Sequence, residues 1–458
     1  MNDTSKIIIE NILTKQREFF AGNQTRDISF RIEQLKKFKS AIKIFEKSIA
    51  DALWADLHKS FEEAYITEIS IVNQEIDYHI RHLKKWSKPK RVPTPLHLLP
   101  SSSKIIYEPL GVSLIVAPWN YPFQLLMNAL VGSISAGNCA ILKPSPYSEN
   151  TAKVMEELIK GTFASEYIDI VQGGRKTNEL LFKQKFDIIF YTGSPAVGKV
   201  VMNAAAEHLT PVVLELGGKS PCIVDKDANL SVAARRIVWG KTINAGQTCI
   251  APDYLLVHAS VKEALIGEIK LTIREMFGDD MQKSKHFGRI VNDKAFDRLS
   301  GYLTNGKIVA GGITDKSKRY ISLTLLDEVK PEDAVMQEEI FGPILPIMTF
   351  TEIDEAIAYI NSNEKPLAFY YFGKSKMAKE VLMKTTSGGG CINDTVVHVG
   401  NHHLPFGGVG NSGMGKYHGK DSFLAFSNRR SIVSTPTWMD LPLKYVPYKF
   451  FKLIRKII

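Results

Sequence analysis

The chain has 458 residues, of which 44% are hydrophobic and 23% are charged, as in a globular protein with two or three domains. This composition excludes a disordered or fibrous protein. The formal net charge is +10, but the lysines are scattered and no zinc-finger, RRM-like or basic-region pattern accompanies them. We therefore expect no nucleic-acid partner.

The four cysteines, Cys139, Cys222, Cys249 and Cys391, lie far apart without CxxC spacing. This pattern predicts neither a metal site nor a disulfide framework. The first twenty residues lack the regions of a signal peptide, and nowhere do 18 apolar residues run together. We expect a cytoplasmic protein.

Residues 30–61 carry apolar side chains at steps of three and four, which predicts an amphipathic helix. These are Ile32, Leu35, Phe38, Ile42, Phe45, Ile49 and Leu53. The helix could form a coiled coil, but the pattern fades within about four heptads, so docking on the protein's own core is favoured. The proline-rich residues 88–103 predict a loop or an edge hairpin.

From Gly111 the apolar runs GVSLIV, CAIL, YIDIV, DIIFY and PVVLEL alternate with helical segments near 125–136, 149–161 and 196–207. Such alternation predicts an α/β fold with a Rossmann-type parallel sheet, which binds nucleotides at the carboxyl ends of its strands. A second set of α and β segments runs from Leu216 to about Ser387. The glycine-rich stretch from Gly388 to Gly419 is predicted to be irregular.

The segment YTGSPAVGK (Tyr191 to Lys199) follows an apolar strand and opens a helix. Ser194 is suited to cap this helix and Pro195 to begin it, so the free N–H groups could hold a pyrophosphate. A plain helix cap is an equally good interpretation. A second glycine pattern, Gly408, Gly410 and Gly413, precedes no βαβ unit and is rejected as a dinucleotide fingerprint.

Cys249 lies in NAGQTCIAP, Glu215 at the end of a predicted strand in LELGGKSP, and Asn120 in PWNYP. A thiolate can act as a nucleophile, a carboxylate as a general base for water, and an amide as a donor to an oxyanion. Each residue also has an ordinary interpretation, as an inert buried thiol, a solvated charge and a turn residue.

The motifs PWNYP, LKPS, YTGS, LELGGKSP, GQTC, EEIFGP and PFGGVGNSGMG occur in this order over Pro118 to Gly415. Together they resemble the aldehyde dehydrogenase superfamily, and the run from Pro405 to Ser431 resembles its class 3 branch, whose members are typically dimers. The resemblance implies a cofactor domain, a catalytic α/β domain and a small β oligomerisation arm.

By this resemblance Cys249 is the nucleophile, Glu215 is the base, and Asn120 with the Cys249 N–H forms the oxyanion hole of a thioester mechanism. No metal is implied. The resemblance also assigns five residues to NAD or NADP: Lys143 and Glu339 to its riboses, Phe341 to the nicotinamide, and Gly193 and Ser194 to the pyrophosphate. One departure is Pro146 in LKPSPYS, where class 3 relatives often have Glu. Because the carboxylate of that Glu is absent here, a 2′-phosphate would not be repelled, which favours use of both coenzymes.

The domains are expected at 1–87 with 104–216 for the cofactor, 217–395 for the thiol, and 88–103 with 396–435 for the arm. Residues 436–458 form a basic tail, and a helix from Tyr448 would be amphipathic, as in membrane-surface segments. Packing of the tail on the protein is the alternative.

The substrate is expected to be a long-chain, carotenoid or otherwise apolar aldehyde, with short-chain or aromatic aldehydes as the alternative. More distant possibilities are a cofactor-free cysteine hydrolase and an inactive binding protein with this fold.

Overall fold

The structure is a computed structural model that describes residues 3–440, 442–452 and 455. It begins with four helices, α1 (Lys6–Ala21), α2 (Ile28–Leu57), α3 (Phe61–Ala64) and α4 (Ser70–Trp86), with a π-helical segment, Tyr65–Ile69, between α3 and α4. The predicted helix 30–61 is wrong at its end, because His58 adopts a left-handed φ of 58° and stops α2 there. Leu35, Phe38 and Ile42 of α2 are fully buried in the protein's own core.

The first large sheet has six strands in the order β17-β7-β6-β3-β4-β5. All pairs are parallel except β17 with β7, which confirms the predicted parallel sheet. The strands are β3 (Val112–Val116), β4 (Cys139–Lys143), β5 (Ile168–Ile170), β6 (Ile188–Thr192), β7 (Val212–Glu215) and β17 (Gly413–Met414). The helices between them are α5 (Pro122–Ala136), α6 (Glu149–Thr162), α7 (Arg175–Phe182) and α8 (Pro195–Ala206). Helices α5, α6 and α8 lie close to the predicted segments, whereas α7 was not predicted.

The second sheet has seven strands in the order β10-β13-β14-β9-β8-β15-β16, with only the β10–β13 pair antiparallel. The strands are β8 (Pro221–Val224), β9 (Tyr254–His258), β10 (Lys307–Ala310), β13 (Thr324–Asp327), β14 (Ile344–Phe350), β15 (Ala368–Phe372) and β16 (Gly389–Ile392). Its helices are α9 (Leu230–Thr242), α10 (Lys262–Phe277), α11 (Asp293–Tyr302), α12 (Ala334–Gln337), α13 (Ile353–Asn361) and α14 (Ser375–Lys384). Strand β16 corrects the prediction that the stretch from Gly388 to Gly419 is irregular, because Gly389 and Gly390 pair with β15. A short hairpin, β11 (Thr314–Asp315) and β12 (Tyr320–Ile321), stands apart from both sheets.

A third, antiparallel sheet contains β1 (Lys90–Val92), β2 (Ser102–Pro109) and β18 (Ser427–Ser434), the last following helix α15 (Lys420–Ala425). The proline-rich segment is thus an edge hairpin, one of the two predicted alternatives. The region expected to form an arm is divided between sheets, because β17 joins the first sheet and β18 the third.

The C-terminal tail is described only in part. Pro442–Lys444 form one turn of 3₁₀ helix, Tyr448 has a φ of 55°, and Phe451, Lys452 and Arg455 are helical. Residues 441, 453, 454 and 456–458, and with them much of the predicted amphipathic helix, lie outside the described residues. Within the described part of the chain no helix is both long and apolar enough to cross a membrane.

Candidate active site

Two cavities meet at Cys249, whose side chain lines both. The first has a volume of about 220 Å³ and the second a volume of about 310 Å³. Seven of the eight predicted site residues line the first cavity: Asn120, Gly193, Ser194, Glu215, Cys249, Glu339 and Phe341. The structure therefore brings together residues that are as much as 221 positions apart in sequence (341 − 120).

The topology explains this convergence. Asn120 follows β3, Gly193 and Ser194 follow β6, and Glu215 ends β7, three adjacent parallel strands of the first sheet. Their carboxyl ends share one edge, where open parallel sheets place ligands. Cys249 comes from the second sheet, in the turn before β9. The first cavity thus receives side chains from both large sheets.

The Cys249 loop has an unusual backbone. Asn244 and Ala245 both have a φ of 51°, in the left-handed region that non-glycine residues rarely adopt. Gln247 fixes the loop, since its Nε2 donates to the carbonyls of Asn244 (3.0 Å) and Arg289 (2.9 Å). Backbone strain at Asn244 and Ala245 persists only where surrounding contacts of this kind impose it.

The surroundings of the Cys249 thiol shift its pKa in both directions. Burial and the nearby carboxylates of Glu339 and Glu215 raise this pKa, while the N–H groups at Cys249 and Ile250 lower it.

Glu215 is buried, with 3% of its surface exposed, and neither carboxyl oxygen has a hydrogen-bond partner within the described chain. Burial raises the pKa of Glu215 well above its usual value. The nearby Lys416 ammonium opposes this rise. Lys416 Nζ itself donates to the carbonyls of Gly388 (3.2 Å) and Gly407. A buried carboxyl with open acceptor positions is suited to take a proton from water.

The Asn120 amide faces the thiol loop. Its Nδ2 donates to the carbonyl of Gln247 at 3.1 Å, which leaves the second amide hydrogen available. Its Oδ1 is buried and lacks a partner among the described residues. The Asn120 carbonyl accepts from Asn244 Nδ2 at 2.7 Å. The amide that could stabilise an oxyanion is therefore tied to the loop that carries the thiol.

Four of the five residues expected to hold a dinucleotide line the first cavity: Gly193, Ser194, Glu339 and Phe341. Ser194 Oγ accepts from Val197 N at 3.5 Å and Pro195 is the first residue of α8, as predicted. Burial raises the pKa of Glu339 to about 8. Phe341 packs edge-on against Trp119, with 5.4 Å between ring centroids. An open helix N-terminus, a carboxyl group and an aromatic face suit a pyrophosphate, ribose hydroxyls and a planar ring, so these residues fit a nicotinamide dinucleotide.

Lys143 is the predicted residue that does not line this cavity. It ends β4, is 1% exposed, and its Nζ donates to the carbonyl of Pro144 at 2.6 Å. Burial lowers its pKa to about 8. No group of three or more His, Cys, Asp or Glu side chains that could hold a metal ion occurs among the described residues.

The second cavity was not predicted from the sequence. None of the described residues that line it is acidic, basic or a histidine, and most are apolar. They come from four segments: 66–74, 121–125, 239–250 and 396–400, with Phe406 and Tyr417 shared with the first cavity. Lys416 was also not predicted from the sequence, although it directly follows the motif PFGGVGNSGMG.

The chain is similar to known proteins over nearly its whole length. The model of the aldehyde dehydrogenase family matches residues 3–432. The 4,4'-diaponeurosporen-aldehyde dehydrogenase of Staphylococcus aureus is 50% identical over 452 residues, 98% of each chain. The dimeric NADP-preferring aldehyde dehydrogenase of Canis lupus familiaris is 46% identical, covering 95% of this chain and 96% of its own.

Aldehyde dehydrogenase family 3 member A2 of Mus musculus is 47% identical over 92% of this chain and 87% of its own, consistent with the class 3 resemblance. A solved structure described as the substrate-bound state of Staphylococcus aureus AldH superposes with a TM-score of 0.96, at 49% identity, over 100% of this chain and 99% of that one. These matches confirm the fold predicted from the motifs. The chain belongs to the aldehyde dehydrogenase family, and its activity is the NAD(P)-dependent oxidation of an aldehyde.

Proposed function

We propose that this enzyme oxidises long, apolar aldehydes to carboxylates through a thioester on Cys249. The observation that carries the proposal is the position of Cys249 on the wall shared by two cavities of different character. The first is lined by Gly193, Ser194 and Glu339, which suit a dinucleotide, and the second has no charged residue or histidine among the described residues of its wall. A carbonyl carbon at the thiol would lie between coenzyme and substrate chain.

The chain's own residues account for the covalent steps. The Cys249 thiolate adds to the carbonyl carbon, and the Asn120 amide and the Cys249 N–H donate to the resulting oxyanion. Conversion of this adduct to the thioester releases a hydride from the former carbonyl carbon, and accepting that hydride is the chemistry that a nicotinamide coenzyme would supply. Gly193, Ser194, Glu339, Phe341 and, at the adenosine ribose, Lys143 would hold the coenzyme. Glu215 then takes a proton from water, whose oxygen attacks the thioester carbon. The C–S bond breaks, which releases the carboxylic acid and restores the Cys249 thiolate. The proton on Glu215 and the proton of the acid pass to solvent, which leaves the carboxylate product.

The second cavity supports the apolar substrate class. Its volume of about 310 Å³ is within the range of small-molecule sites, and its uncharged wall offers no ion pair to a polar chain. The names of the relatives agree, since one acts on 4,4'-diaponeurosporen-aldehyde. Short-chain or aromatic aldehydes would leave much of the cavity without contacts.

A series of aldehydes from two to sixteen carbons, with aromatic and isoprenoid members, tests the substrate class. We expect kcat/KM to rise with chain length by up to about fourfold per methylene, the factor equivalent to ~0.8 kcal/mol of burial, until the cavity is full. Production of NAD(P)H at 340 nm is the measurement. A profile that peaks at two carbons or at benzaldehyde would replace this proposal with a detoxifying enzyme.

The enzyme is also proposed to be a homodimer. Within the described residues the outer edges of β16 and β18 have no partner strand, and unpaired edges readily pair with another chain. A relative of 46% identity is named as dimeric. Light scattering coupled to gel filtration should give twice the mass of 51.2 kDa.

We place the enzyme in the cytoplasm, in contact with membrane surfaces through its tail. The four cysteines are free, which agrees with a reducing compartment. Tyr445, Val446, Phe450 and Phe451 are exposed beside basic residues of the tail. Apolar and basic groups together favour an anionic lipid surface.

A further inference from the structure

A buried ion pair contacts the loop between β3 and α5, residues 117–121, which carries Asn120 and is called the Asn120 loop below. Lys59 Nζ and Glu68 Oε1 are 2.5 Å apart, and both side chains are fully buried. Neither residue lines the two cavities that meet at Cys249. Removing two charges from water is unfavourable, and their mutual attraction offsets this cost only when additional hydrogen bonds use their remaining donors and acceptors. The contacts of this pair show where that capacity goes.

Lys59 is directed at the residues that begin the loop. Its Nζ donates to the carbonyl of Asn120 at 2.8 Å and lies 3.9 Å from the centroid of the Tyr121 ring. The ammonium therefore has three partners: a carboxylate, a carbonyl and an aromatic face. This arrangement fixes the peptide that carries the Asn120 side chain.

Glu68 holds the other end of the same loop. Its Oε2 accepts from the backbone N–H groups of Phe123 (2.9 Å) and Gln124 (3.2 Å), in the first turn of α5. The N-cap residue of α5, Tyr121, provides no side-chain cap. The Glu68 carboxylate replaces that cap, at the helix end where negative charge is stabilising.

The backbone around Glu68 is itself unusual. Tyr65–Ile69 is π-helical, with α3 before it and α4 after it. Such segments are rare in proteins, and those that occur are often found at functional sites. Here it carries a carboxylate that reaches both Lys59 and the start of α5.

The pair is connected to the thiol loop through Asn244. The Asn120 carbonyl accepts from Asn244 Nδ2 as well as from Lys59, so both of its acceptor positions are used. The backbone N–H of Asn244, a residue with a left-handed φ, donates to Glu63 Oε1 at 2.7 Å. Lys59 and Glu68 thus contact the loop that carries Asn120, and Glu63 contacts the loop that carries Cys249.

We propose that Lys59 and Glu68 are positioning residues for catalysis, which orient the Asn120 amide relative to Cys249. The proposal rests on the proposed function, in which Asn120 donates to the oxyanion. Neither residue lines the cavities proposed to hold coenzyme and substrate, so both act through Asn120. Their effect should fall on the acylation step and not on coenzyme binding, because the groups proposed to hold the coenzyme come from other segments.

Lys59→Met removes the ammonium but keeps the length of the side chain. We expect the single-turnover rate of acylation to fall about 10- to 100-fold, less than or equal to the effect of losing an oxyanion-hole donor. The aldehyde KM and the NAD(P) Kd should change less than about threefold. Alkylation of Cys249 by iodoacetamide should stay within about twofold of wild type, because that reaction forms no oxyanion.

Lys39→Met controls for the loss of a short ion pair, since Lys39 and Asp77 form an equally short but half-exposed pair (2.5 Å) between α2 and α4, away from the cavities. It should keep the wild-type acylation rate. Lys59→Met leaves the Glu68 charge buried and unpaired, so the double variant Lys59→Met/Glu68→Gln is also required. It restores charge balance and an acceptor for α5, and it should fold like wild type yet remain slow in acylation.

The decisive comparison uses Asn120→Ala. If Lys59 acts through the Asn120 amide, Lys59→Met should slow acylation in wild type but change it less than about twofold in the Asn120→Ala background. The proposal is overturned if Lys59→Met slows acylation equally in both backgrounds. It is also overturned if the lost activity only matches the lost fraction of folded enzyme. Failure of the proposed function is distinguishable, because Asn120→Ala alone would then acylate at the wild-type rate.

Discussion

The Asn120 side chain donates a hydrogen bond from Nδ2 to the carbonyl of Gln247, 3.1 Å away and two residues before Cys249. This bond links the end of β3 in the first sheet to the thiol loop of the second. It leaves one amide hydrogen for an oxyanion at the thiol.

Asn120→Ala should therefore slow acylation by about 100- to 1000-fold, the usual cost of an oxyanion-hole donor. Stopped-flow measurement of the first NAD(P)H formed per subunit gives this rate. A comparable amide away from the cavities, Asn361, provides the control as Asn361→Ala, for which we expect no change. A normal rate for Asn120→Ala would remove this residue from the mechanism.

Cys249→Ala should abolish turnover and leave coenzyme binding nearly intact, because the thiol forms the covalent intermediate while other groups hold the nucleotide. Absorbance at 340 nm measures the first property and fluorescence titration the second. Cys391→Ala is the matched control: Cys391 lies on β16, lines neither cavity at Cys249, and its Sγ is 3.4 Å from His398 Nδ1. Substantial dehydrogenase activity in Cys249→Ala would contradict the thioester mechanism.

Glu215→Gln should form the first NAD(P)H rapidly and then stall, since water attack on the thioester needs the carboxylate. We expect steady-state turnover to fall at least about 100-fold. Rapid quenching should trap the acyl-enzyme, and mass spectrometry should detect it as an adduct on the protein. The exposed Glu207, changed to Gln, serves as the control. A normal steady state without acyl-enzyme would assign the base to another group.

The pH dependence of deacylation follows from the same residue. Burial raises the pKa of Glu215 well above its usual value, and only the deprotonated form acts as a base. Deacylation should therefore increase as the pH rises through that pKa, and Glu215→Gln should lose this increase. Since the Lys416 charge lowers the Glu215 pKa, Lys416→Met should move the increase to higher pH. An unmoved profile would show that Lys416 does not act on Glu215.

Use of both NAD and NADP is expected from Pro146, a partly buried residue three positions after Lys143. Pro146→Glu should raise the ratio of kcat/KM for NAD over NADP about tenfold, because a carboxylate there repels a 2′-phosphate. Steady-state kinetics with both coenzymes provides the measurement. A wild-type preference for NAD of more than about a thousandfold, or ~4 kcal/mol, would contradict dual use.

Deletion of residues 441–458 should reduce co-sedimentation with anionic liposomes and raise KM for a long-chain aldehyde more than for a short one. The exposed Phe450 and Phe451 provide the apolar contact and Lys444, Lys449 and Lys452 the charge. A variant with these three lysines changed to Gln should lose binding to anionic vesicles but keep its chain-length profile. If the truncated enzyme sediments equally and keeps that profile, the tail only packs on the protein.

Local sequence determined much of this protein. Ser194 before Pro195 specifies the start of α8 through short-range capping, and apolar runs specify the strands of the first sheet because burial on both faces requires them. Motif order also identified the family and seven residues that line one cavity. These features depend on neighbours in sequence or on similarity to related chains.

Tertiary structure decided the rest. Helix α2 ends at His58 through a left-handed residue, and the glycines of β16 form a strand because β15 provides its hydrogen-bond partners. The second cavity is assembled from four distant segments, so no local pattern indicates its apolar wall. The Lys59–Glu68 pair appears in the sequence as two ordinary charges, and only its burial against Asn120 and the first turn of α5 gives it a role. Such contacts depend on chain topology, which brings together residues that sequence periodicity cannot relate.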